Sequence, residues 1–509
     1  MKLLTPFLLL LSVGLFAQTA SENRVDRDLP EFGFDRLDLA GEMYFLASDY
    51  LAGRRTGAIG NEITAEYIAA QLRGYGYQPI NGGDSSYFQT VPLRQVNAPL
   101  SAGLRIGEID FSGGDNLLIL RGKEAEIGGT QVVFANYGWV DEGSGDDDYA
   151  NLDVRGKIVI TRPGIPGDQS QAAIFRGVQE KAAMAAEAGA VGIFEIYALP
   201  FPWESFKGYL GGERMTVNDG SKSAEIPYGF IKVEDQLLAD LQAAPSGLSG
   251  SLSSSGMRVK DMSSRNVGGI LRGSDPAVAD EYVIMTAHFD HVGVGAQGGG
   301  YYSEQDSIFN GARDNAFGTI SLLAAARAFA EVPPRRSIII LAVTGEELGL
   351  LGSKYYADNP LVPLRQTVFN FNTDGAGYND TSAISVIGMG RTGIDDQIER
   401  AAAAFGARVI ANPAPEQGLF DRSDNVSFAA KGIPALNFAP GFTDFDDAIF
   451  KYYHQVADNP ETIDTAYLKR YCQIYTLAAR LIANQETLPF WKEDDKYRTV
   501  GEELYGVGK

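Results

Sequence analysis

After residue 263 the chain alternates short apolar runs with amphipathic segments of ten or more residues. The runs EYVIMTA, SIIILAVT and TVFNFNT are typical of buried strands, whereas GTISLLAAARAFA and TAYLKRYCQIYTLAARLIA follow a helical period. This alternation predicts an α/β fold, with a mostly parallel mixed sheet covered by helices on both faces. In such sheets, ligand sites form beyond the carboxyl ends of the strands.

Charged side chains follow each of these three strands, at the point where the strand ends. His288 and Asp290 close the first run, Glu346 and Glu347 follow the second, and Asp374 closes the third. Residues two apart on a strand project to the same side. His288 and Asp290 can therefore act together, one as a metal ligand and the other by orienting its imidazole.

Asp314, in a glycine-bounded turn, and His454 have the chemistry to complete such a site. Each candidate alone has an ordinary explanation, such as a core histidine, a helix-start carboxylate or a turn residue. Jointly, these explanations require two of the three histidines and four or five carboxylates to reach one sheet edge by chance. The set suits a pair of divalent metals, because imidazole and carboxylate both bind zinc. Two such ions bring four positive charges, and three carboxylates offset three of them.

Composition narrows the classes of partner and of metal site. The 509 residues include 65 acidic and 43 basic side chains, a formal charge of -22, which argues against nucleic acid or an anionic membrane as a partner. Apolar residues make up 45% of the chain, as in globular proteins. Cys472 is the only cysteine, so an intramolecular disulfide and a Cys-rich zinc site are both excluded.

The chain divides into four predicted parts. Residues 1–20 have the pattern of a secretory signal peptide without a lipobox cysteine, which predicts export to the periplasm or the extracellular space. No later apolar stretch is long enough for membrane insertion. Residues 21–110 and 263–490 are predicted to form the catalytic domain, and 111–262 a smaller inserted α/β domain. The polar tail 491–509 is predicted to be peripheral.

Nine segments of the chain resemble one known family, in that family's order. They are LAGRRTG, SSYFQTVPL, SRNVGGILRG, AHFDHVG, DSIFNGARDNAFG, TGEELGLLGS, NFNTD, RSDNVSFAAKGIPAL and YYHQVADN. Together they resemble the M28-type dinuclear zinc aminopeptidases and exopeptidases that carry a protease-associated insertion domain. The resemblance covers almost the whole mature chain, and it implies a zinc exopeptidase-like fold with two Zn²⁺ ions per chain.

The resemblance also implies a role for each ligand. His288 and Asp374 would hold one zinc ion, Glu347 and His454 would hold the other, and Asp314 would bridge both.

Two further roles follow from the same resemblance. Asp290 would hydrogen-bond His288 and orient it, and Glu346 would be the general base. Members of the family often have a cis peptide bond after the bridging aspartate, here between Asp314 and Asn315.

The sequence departs from the family pattern beside the site. Arg313 stands where an acidic or small residue is common, and Asn425 replaces a histidine. We expect these departures to affect substrate preference, and we take as candidate substrate-binding residues Arg313, Ser423, Asp424 and Asn425. His291 is expected to be a loop residue beside the site and not a ligand.

These observations predict a zinc-dependent exopeptidase, most simply an aminopeptidase acting on peptide substrates through a metal-activated water. Two alternatives remain open from the sequence. One is a non-catalytic receptor or binding protein on the same scaffold, and the other is a single-zinc acyltransferase that cyclises N-terminal glutamine.

Overall fold

A computed structural model of the chain describes residues 34–507, except for 142, 169, 200–201, 221–225, 234–235 and 245–246. The predicted signal peptide at residues 1–20 lies outside the described residues. The chain divides into two compact units, the first formed by Met1–Val91 with Ser263–Lys509 and the second by Pro92–Met262.

The described part of the chain contains the following strands and α-helices. The strands are β1 (Gln78–Pro79), β2 (Phe88–Asn97), β3 (Ala102–Ile106), β4 (Ile109–Ser112), β5 (Leu117–Arg121), β6 (Ala125–Phe134), β7 (Val140–Asp141), β8 (Asp146–Asp147), β9 (Ile158–Thr161), β10 (Gly192–Ile196), β11 (Arg214–Val217), β12 (Tyr228–Ile231), β13 (Leu248–Ser254), β14 (Arg258–Leu271), β15 (Tyr282–His288), β16 (Gly293–Val294), β17 (Ile308–Phe309), β18 (Ser337–Val343), β19 (Thr367–Thr373), β20 (Ala383–Ile387), β21 (Arg408–Ala411) and β22 (Ala435–Pro440). The helices are α1 (Arg36–Leu46), α2 (Ile59–Gly74), α3 (Gln171–Glu187), α4 (Trp203–Gly211), α5 (Gln236–Ala243), α6 (Phe317–Glu331), α7 (Leu351–Asp358), α8 (Asp395–Ala404), α9 (Asn425–Ala429), α10 (Asp447–Phe450), α11 (Thr465–Asn484) and α12 (Arg498–Tyr505).

The sheet of the first unit has the order β2-β14-β18-β15-β19-β22-β20-β21, with β1 beside β14. Its centre is parallel, because β15 pairs in parallel with both β18 and β19, and β19 pairs in parallel with β22. β14 and β20 run antiparallel to their central neighbours β18 and β22, so the sheet is mixed, as the sequence predicted. The carboxyl ends of the three central strands therefore meet at one edge.

Both faces of this sheet are apolar and are covered by helices. On β18, Ile338 and Ile340 join the larger core with α6 and α11, whereas Ile339 and Leu341 join a second core with α7 and α9. A strand that is apolar on both faces requires helices on both sides. The prediction of a two-sided α/β sheet is confirmed.

The second unit has its own sheet, in the order β4-β3-β13-β6-β9-β10-β12-β5. Two cores of buried apolar residues lie within it, one including residues of α3 and α4 and the other including residues of α5. The unit begins at Pro92 and not at the predicted residue 111. The boundary lies earlier because β3 and β4, which precede residue 113, belong to this sheet. They pair with each other, and β3 also pairs with β13 of the same unit.

The tail after residue 490 is packed against the first unit and is not peripheral as predicted. Trp491 is 1% exposed, and its Nε1–H donates to the Gly432 carbonyl at 2.9 Å. Arg391 pairs with Asp495 at 2.6 Å, and its guanidinium also lies 3.9 Å from the centre of the Phe420 ring. The tail is polar overall in sequence, but its buried Trp491 indole packs into a hydrophobic core of the first unit and so anchors it.

None of the helices among the described residues is both long enough and apolar enough to cross a membrane.

Replacing Trp491 by Ala should lower the free energy of unfolding by about 3–5 kcal/mol, because it removes a fully buried aromatic side chain. The Trp491→Phe variant keeps most of the contact and should lose less. Urea unfolding measures both. Glu493→Ala is the matched control, since Glu493 is exposed on the same segment, and it should change stability by no more than about 0.5 kcal/mol. Equal stability of wild type and Trp491→Ala would contradict the anchoring role.

Candidate metal centre

The three central strands deliver the candidate ligands to one sheet edge. β15 ends at His288, which lies opposite Val343 at the end of β18 and therefore beside the loop that carries Glu346 and Glu347. Asp374 directly follows β19, the other parallel neighbour of β15. The fold therefore places these side chains beyond the carboxyl ends of parallel strands, where α/β sheets form ligand sites.

Asp314 lies between His288 and His454. Its Oδ1 is 3.4 Å from His288 Nε2, and its Oδ2 is 3.2 Å from His454 Nε2. The residue belongs to the short turn Ala312–Ala316 before α6, and the Asp314–Asn315 peptide bond is cis, as the resemblance implied. One carboxylate thus faces both imidazoles.

The potential metal-binding side chains fall into two groups that share Asp314. His288, Asp314 and Asp374 form the first group, in which His288 Nε2 is 3.1 Å from Asp374 Oδ1. The second group comprises His291, Asp314, Glu347 and His454. Within it, His454 Nε2 lies 3.0 Å from Glu347 Oε2.

The separations between these donor atoms test whether zinc fits. Zinc bonds of about 2.0–2.1 Å at tetrahedral angles place neighbouring donor atoms about 3.3 Å apart. The imidazole-to-carboxylate separations of 3.0–3.4 Å at His288 and His454 match that value. Imidazole nitrogen and carboxylate oxygen are also donor types that zinc prefers. The residues present therefore fit an ion in each group.

Asp290 supports His288 differently from the expectation. His288 Nδ1 lies 3.2 Å from the backbone oxygen of Asp290, whereas the Asp290 carboxylate is 3.8 Å away and beyond hydrogen-bonding distance. That carboxylate instead accepts from the Thr56 hydroxyl at 3.0 Å and from the Glu346 backbone N–H at 3.2 Å. Asp290 therefore links the histidine strand to the start of the glutamate loop.

The two adjacent glutamates have opposite electrostatic environments. Burial raises the pKa of Glu346 well above its usual range, and the nearby Asp374 and Glu347 add to this, although His288 opposes it. Burial also acts to raise the pKa of Glu347, but His454 and His291 lower it to about 2. Glu347 therefore stays ionised, as a ligand requires, whereas Glu346 accepts a proton readily.

Only one of the four candidate substrate-binding residues lines the pocket beside the site. Ser423 lines it, and its hydroxyl donates to the Asp374 carboxylate. Asn425 is fully buried and donates to the Phe420 carbonyl at 2.9 Å. Asp424 is also fully buried and is absent from the pocket wall. We therefore no longer expect Asp424 or Asn425 to contact substrate.

Arg313 is buried, has protein partners and does not line the pocket. Its guanidinium forms an ion pair with Asp458 at 3.0 Å and stacks on the Tyr452 ring at 3.6 Å. The other oxygen of Asp458 accepts the backbone N–H groups of Arg313 and Asp314, at 2.8 and 3.4 Å. The buried pair therefore holds the backbone of the turn that carries Asp314.

Three supporting residues were not identified from the sequence. Arg54 is buried and donates to the carbonyls of Phe289, Asn310 and Gly311, and so joins the loops that follow β15 and β17. Thr56 contacts Asp290, and His291 contacts Glu347 at 2.6 Å. Arg54 and Thr56 belong to LAGRRTG, a segment singled out by resemblance, but nothing in its pattern pointed to these partners.

A pocket adjoins the two groups of ligands. Asp314, Glu346 and Asp374 contribute to its wall on the side of the site. Most of the remaining wall is apolar, and its larger apolar side chains are Ile387, Leu419, Phe442, Phe445, Ile449 and Tyr453. Arg422 and Asn437 also line it and, with Ser423, are its polar members. The pocket can therefore accept an apolar group next to the candidate metal centre.

Comparison with known proteins finds a family model that matches the part of the chain that carries this site. Residues 266–478 match the family model of Peptidase family M28. Aminopeptidase YwaD of Bacillus subtilis is 27% identical over 278 residues, which cover 54% of this chain and 55% of that protein. A probable zinc metalloprotease of Leptosphaeria maculans is 27% identical over 212 residues, covering 36% of this chain and 47% of that protein. The chain thus spans about half the length of these curated relatives.

The fold also has a counterpart among solved structures. The aminopeptidase from Aneurinibacillus sp. strain AM-1 aligns with a TM-score of 0.58 at 21% identity, over 92% of this chain and 98% of that one. At this identity the likeness concerns the fold.

Replacing Arg313 by Met should lower the free energy of unfolding by about 3–5 kcal/mol, because Asp458 is left as an unpaired buried charge. The double variant Arg313→Met/Asp458→Asn removes that charge and keeps an oxygen for the two backbone N–H groups, so it should regain much of the loss. Urea unfolding of both variants measures the difference. A double variant less stable than the single one would show that the ion pair is not the cause.

Proposed function

We propose that this chain, which carries a Peptidase family M28 domain over residues 266–478, is a zinc-dependent aminopeptidase that removes N-terminal residues from peptides. The observation that carries the proposal is the position of Asp314, with one oxygen toward His288 and the other toward His454. The names of two relatives, an aminopeptidase and a probable zinc metalloprotease, agree with it.

Two zinc ions per chain would be held by the two groups of donors. His288 and Asp374 would hold one ion, Glu347 and His454 the other, and Asp314 would bridge them, as the donor separations support. When bound, a zinc pair of this kind lowers the pKa of water and polarises the carbonyl of the scissile peptide bond.

Glu346 would act as the general base and then as the general acid. Its carboxylate takes a proton from the attacking water as the new carbon–oxygen bond forms, and it gives that proton to the leaving nitrogen as the carbon–nitrogen bond breaks. The raised pKa of Glu346 suits both transfers, because the group holds a proton easily between them. Asp290 accepts the Glu346 backbone N–H and so helps to fix this residue.

The apolar pocket would receive the side chain of the N-terminal residue. Its wall of aliphatic and aromatic side chains begins next to Glu346 and Asp374, which would bring the scissile bond to the general base. A lysine side chain would be desolvated there next to apolar groups and the Arg422 cation, and this costs free energy. The geometry therefore favours apolar first residues.

The two alternatives from the sequence have less support. A single-zinc cyclase requires one ion, whereas the described residues offer two donor groups that share a carboxylate. A non-catalytic receptor would have no need of Glu346, a carboxylate that lines the adjoining pocket and belongs to neither donor group. From the sequence alone, we also propose that the protein is exported to the periplasm or extracellular space and is not inserted into a membrane. The second unit would be a protease-associated domain.

The Glu346→Gln variant should lose at least about a thousandfold in kcat, since it keeps the shape of the side chain but cannot take the proton. It should still bind two zinc ions per chain by elemental analysis. Glu331→Gln, an exposed glutamate at the end of α6, is the control and should keep full activity. Retained activity in Glu346→Gln would remove its assigned role, and one zinc ion per wild-type chain would contradict the two-ion site.

A panel of aminoacyl p-nitroanilides should show Leu, Met and Phe cleaved at least about tenfold faster, by kcat/KM, than Lys, because the pocket wall is mostly apolar and contains the Arg422 cation. N-acetyl-leucine p-nitroanilide should not be cleaved, since an aminopeptidase requires a free amino group. A chelator should abolish all hydrolysis, and added zinc should restore it. Faster cleavage of the acetylated substrate would exclude the aminopeptidase assignment.

A further inference from the structure

His291 lies inside the candidate metal centre, although it was expected to be only a loop residue. The loop that follows β15 carries it, and the residue is 1% exposed. Its Nδ1 is 2.6 Å from Glu347 Oε1, and its ring centre is 5.5 Å from that of His454. The position raises a choice between two roles, a further metal ligand or a residue that orients Glu347.

The distances distinguish these two roles. Donor atoms that share a tetrahedral zinc ion lie about 3.3 Å apart, and the contacts of His288 and His454 with their carboxylates, at 3.0–3.4 Å, fall around that value. The His291 contact at 2.6 Å is shorter than all of these and is closest to a direct charge-assisted N–H···O hydrogen bond, which measures about 2.7–2.9 Å. Because an ionised carboxylate can only accept, this contact assigns the proton to His291 Nδ1, which donates to Glu347.

The two oxygens of Glu347 thereby have separate partners. Oε1 accepts from His291, whereas Oε2 lies 3.0 Å from His454 Nε2, on the side that also faces Asp314. A carboxylate that is free to rotate can bind an ion through either oxygen or through both. The hydrogen bond from His291 leaves Oε2 as the available ligand atom and fixes its direction.

Packing holds the His291 ring in place for this contact. Gly311 has a φ of +60°, and a side-chain carbon added to it would lie 2.6 Å from the ring. The ring therefore rests directly on the backbone of the turn before Asp314. Its Nε2 is buried and has no hydrogen-bond partner within the described ranges, so Glu347 is the contact that defines the ring's polar role.

We propose that His291 is a positioning residue. Through its Nδ1–H donor it directs Glu347 Oε2 toward the zinc ion that Glu347 and His454 would hold, which we call the second zinc ion. The proposal rests on the proposed function, because it requires that Glu347 bind zinc. A partner of this kind that orients a ligand typically changes metal affinity by about 10–100-fold when it is removed.

Three substitutions test which nitrogen of His291 matters. His291→Asn places an amide N–H close to the position of Nδ1, His291→Gln places one close to Nε2, and His291→Leu has no donor. The affinity for the second zinc ion, measured by titration against a competing chelator, should fall about 10–100-fold in the Gln and Leu variants. It should stay within about threefold of wild type in the Asn variant, and the first ion should bind normally in all three.

Cobalt substitution provides a readout that separates positioning from ligation. Because the ligand set is unchanged, the visible absorption of the Co²⁺ form at saturating metal should keep its intensity in all three variants. A weaker band in every variant, with Asn as impaired as Leu, would show that His291 is itself a ligand and would overturn the proposal. Unchanged zinc affinity in the Leu variant would overturn it equally. A wild-type protein that binds no zinc would instead refute the proposed function.

Discussion

The structure depends on keeping several buried carboxylates within a few ångströms of one another. Asp314 is the centre of this arrangement, because its two oxygens each face a different histidine. Carboxylates at such distances repel one another in a medium of low polarity unless positive charge compensates them. Imidazoles supply part of that compensation, and the donor separations leave space for two divalent ions to supply the rest. The clustering of buried carboxylates therefore explains both the need for positive charge at this site and the proposed zinc chemistry.

Much of the surrounding chain serves to hold this arrangement. Asp458 accepts the backbone N–H groups of Arg313 and Asp314, and the Arg313 guanidinium neutralises it. Arg54 joins the loops after β15 and β17 through backbone carbonyls. Both guanidinium groups are buried. They satisfy carbonyls and carboxylates that would otherwise be costly to bury, and so they keep the ligands in place.

Adjacent positions in the chain acquire different roles through their surroundings. Glu346 and Glu347 are identical side chains on one loop, but Glu347 contacts two imidazoles while Glu346 is buried near other carboxylates. The first environment stabilises the ionised form and the second the protonated form. The proposed role of His291 is also set by its surroundings, because its hydrogen bond to one oxygen of Glu347 would leave the other oxygen for a metal ion. The proposed dinuclear centre would use this division, with Glu347 as a permanent ligand and Glu346 as the proton carrier.

The sequence by itself determined the α/β class and the strands that end in His288 and Asp374, because buried strands and helices leave periodic apolar patterns that are local. Motif resemblance added a role for each candidate ligand and the cis bond at Asp314. Only the tertiary structure decided that Arg313 pairs with Asp458, that Asp290 contacts Thr56, that His291 reaches Glu347 and that Trp491 anchors the tail. Those contacts join residues that are from 56 to more than 200 positions apart, and no local pattern specifies which distant partner a buried polar group will meet.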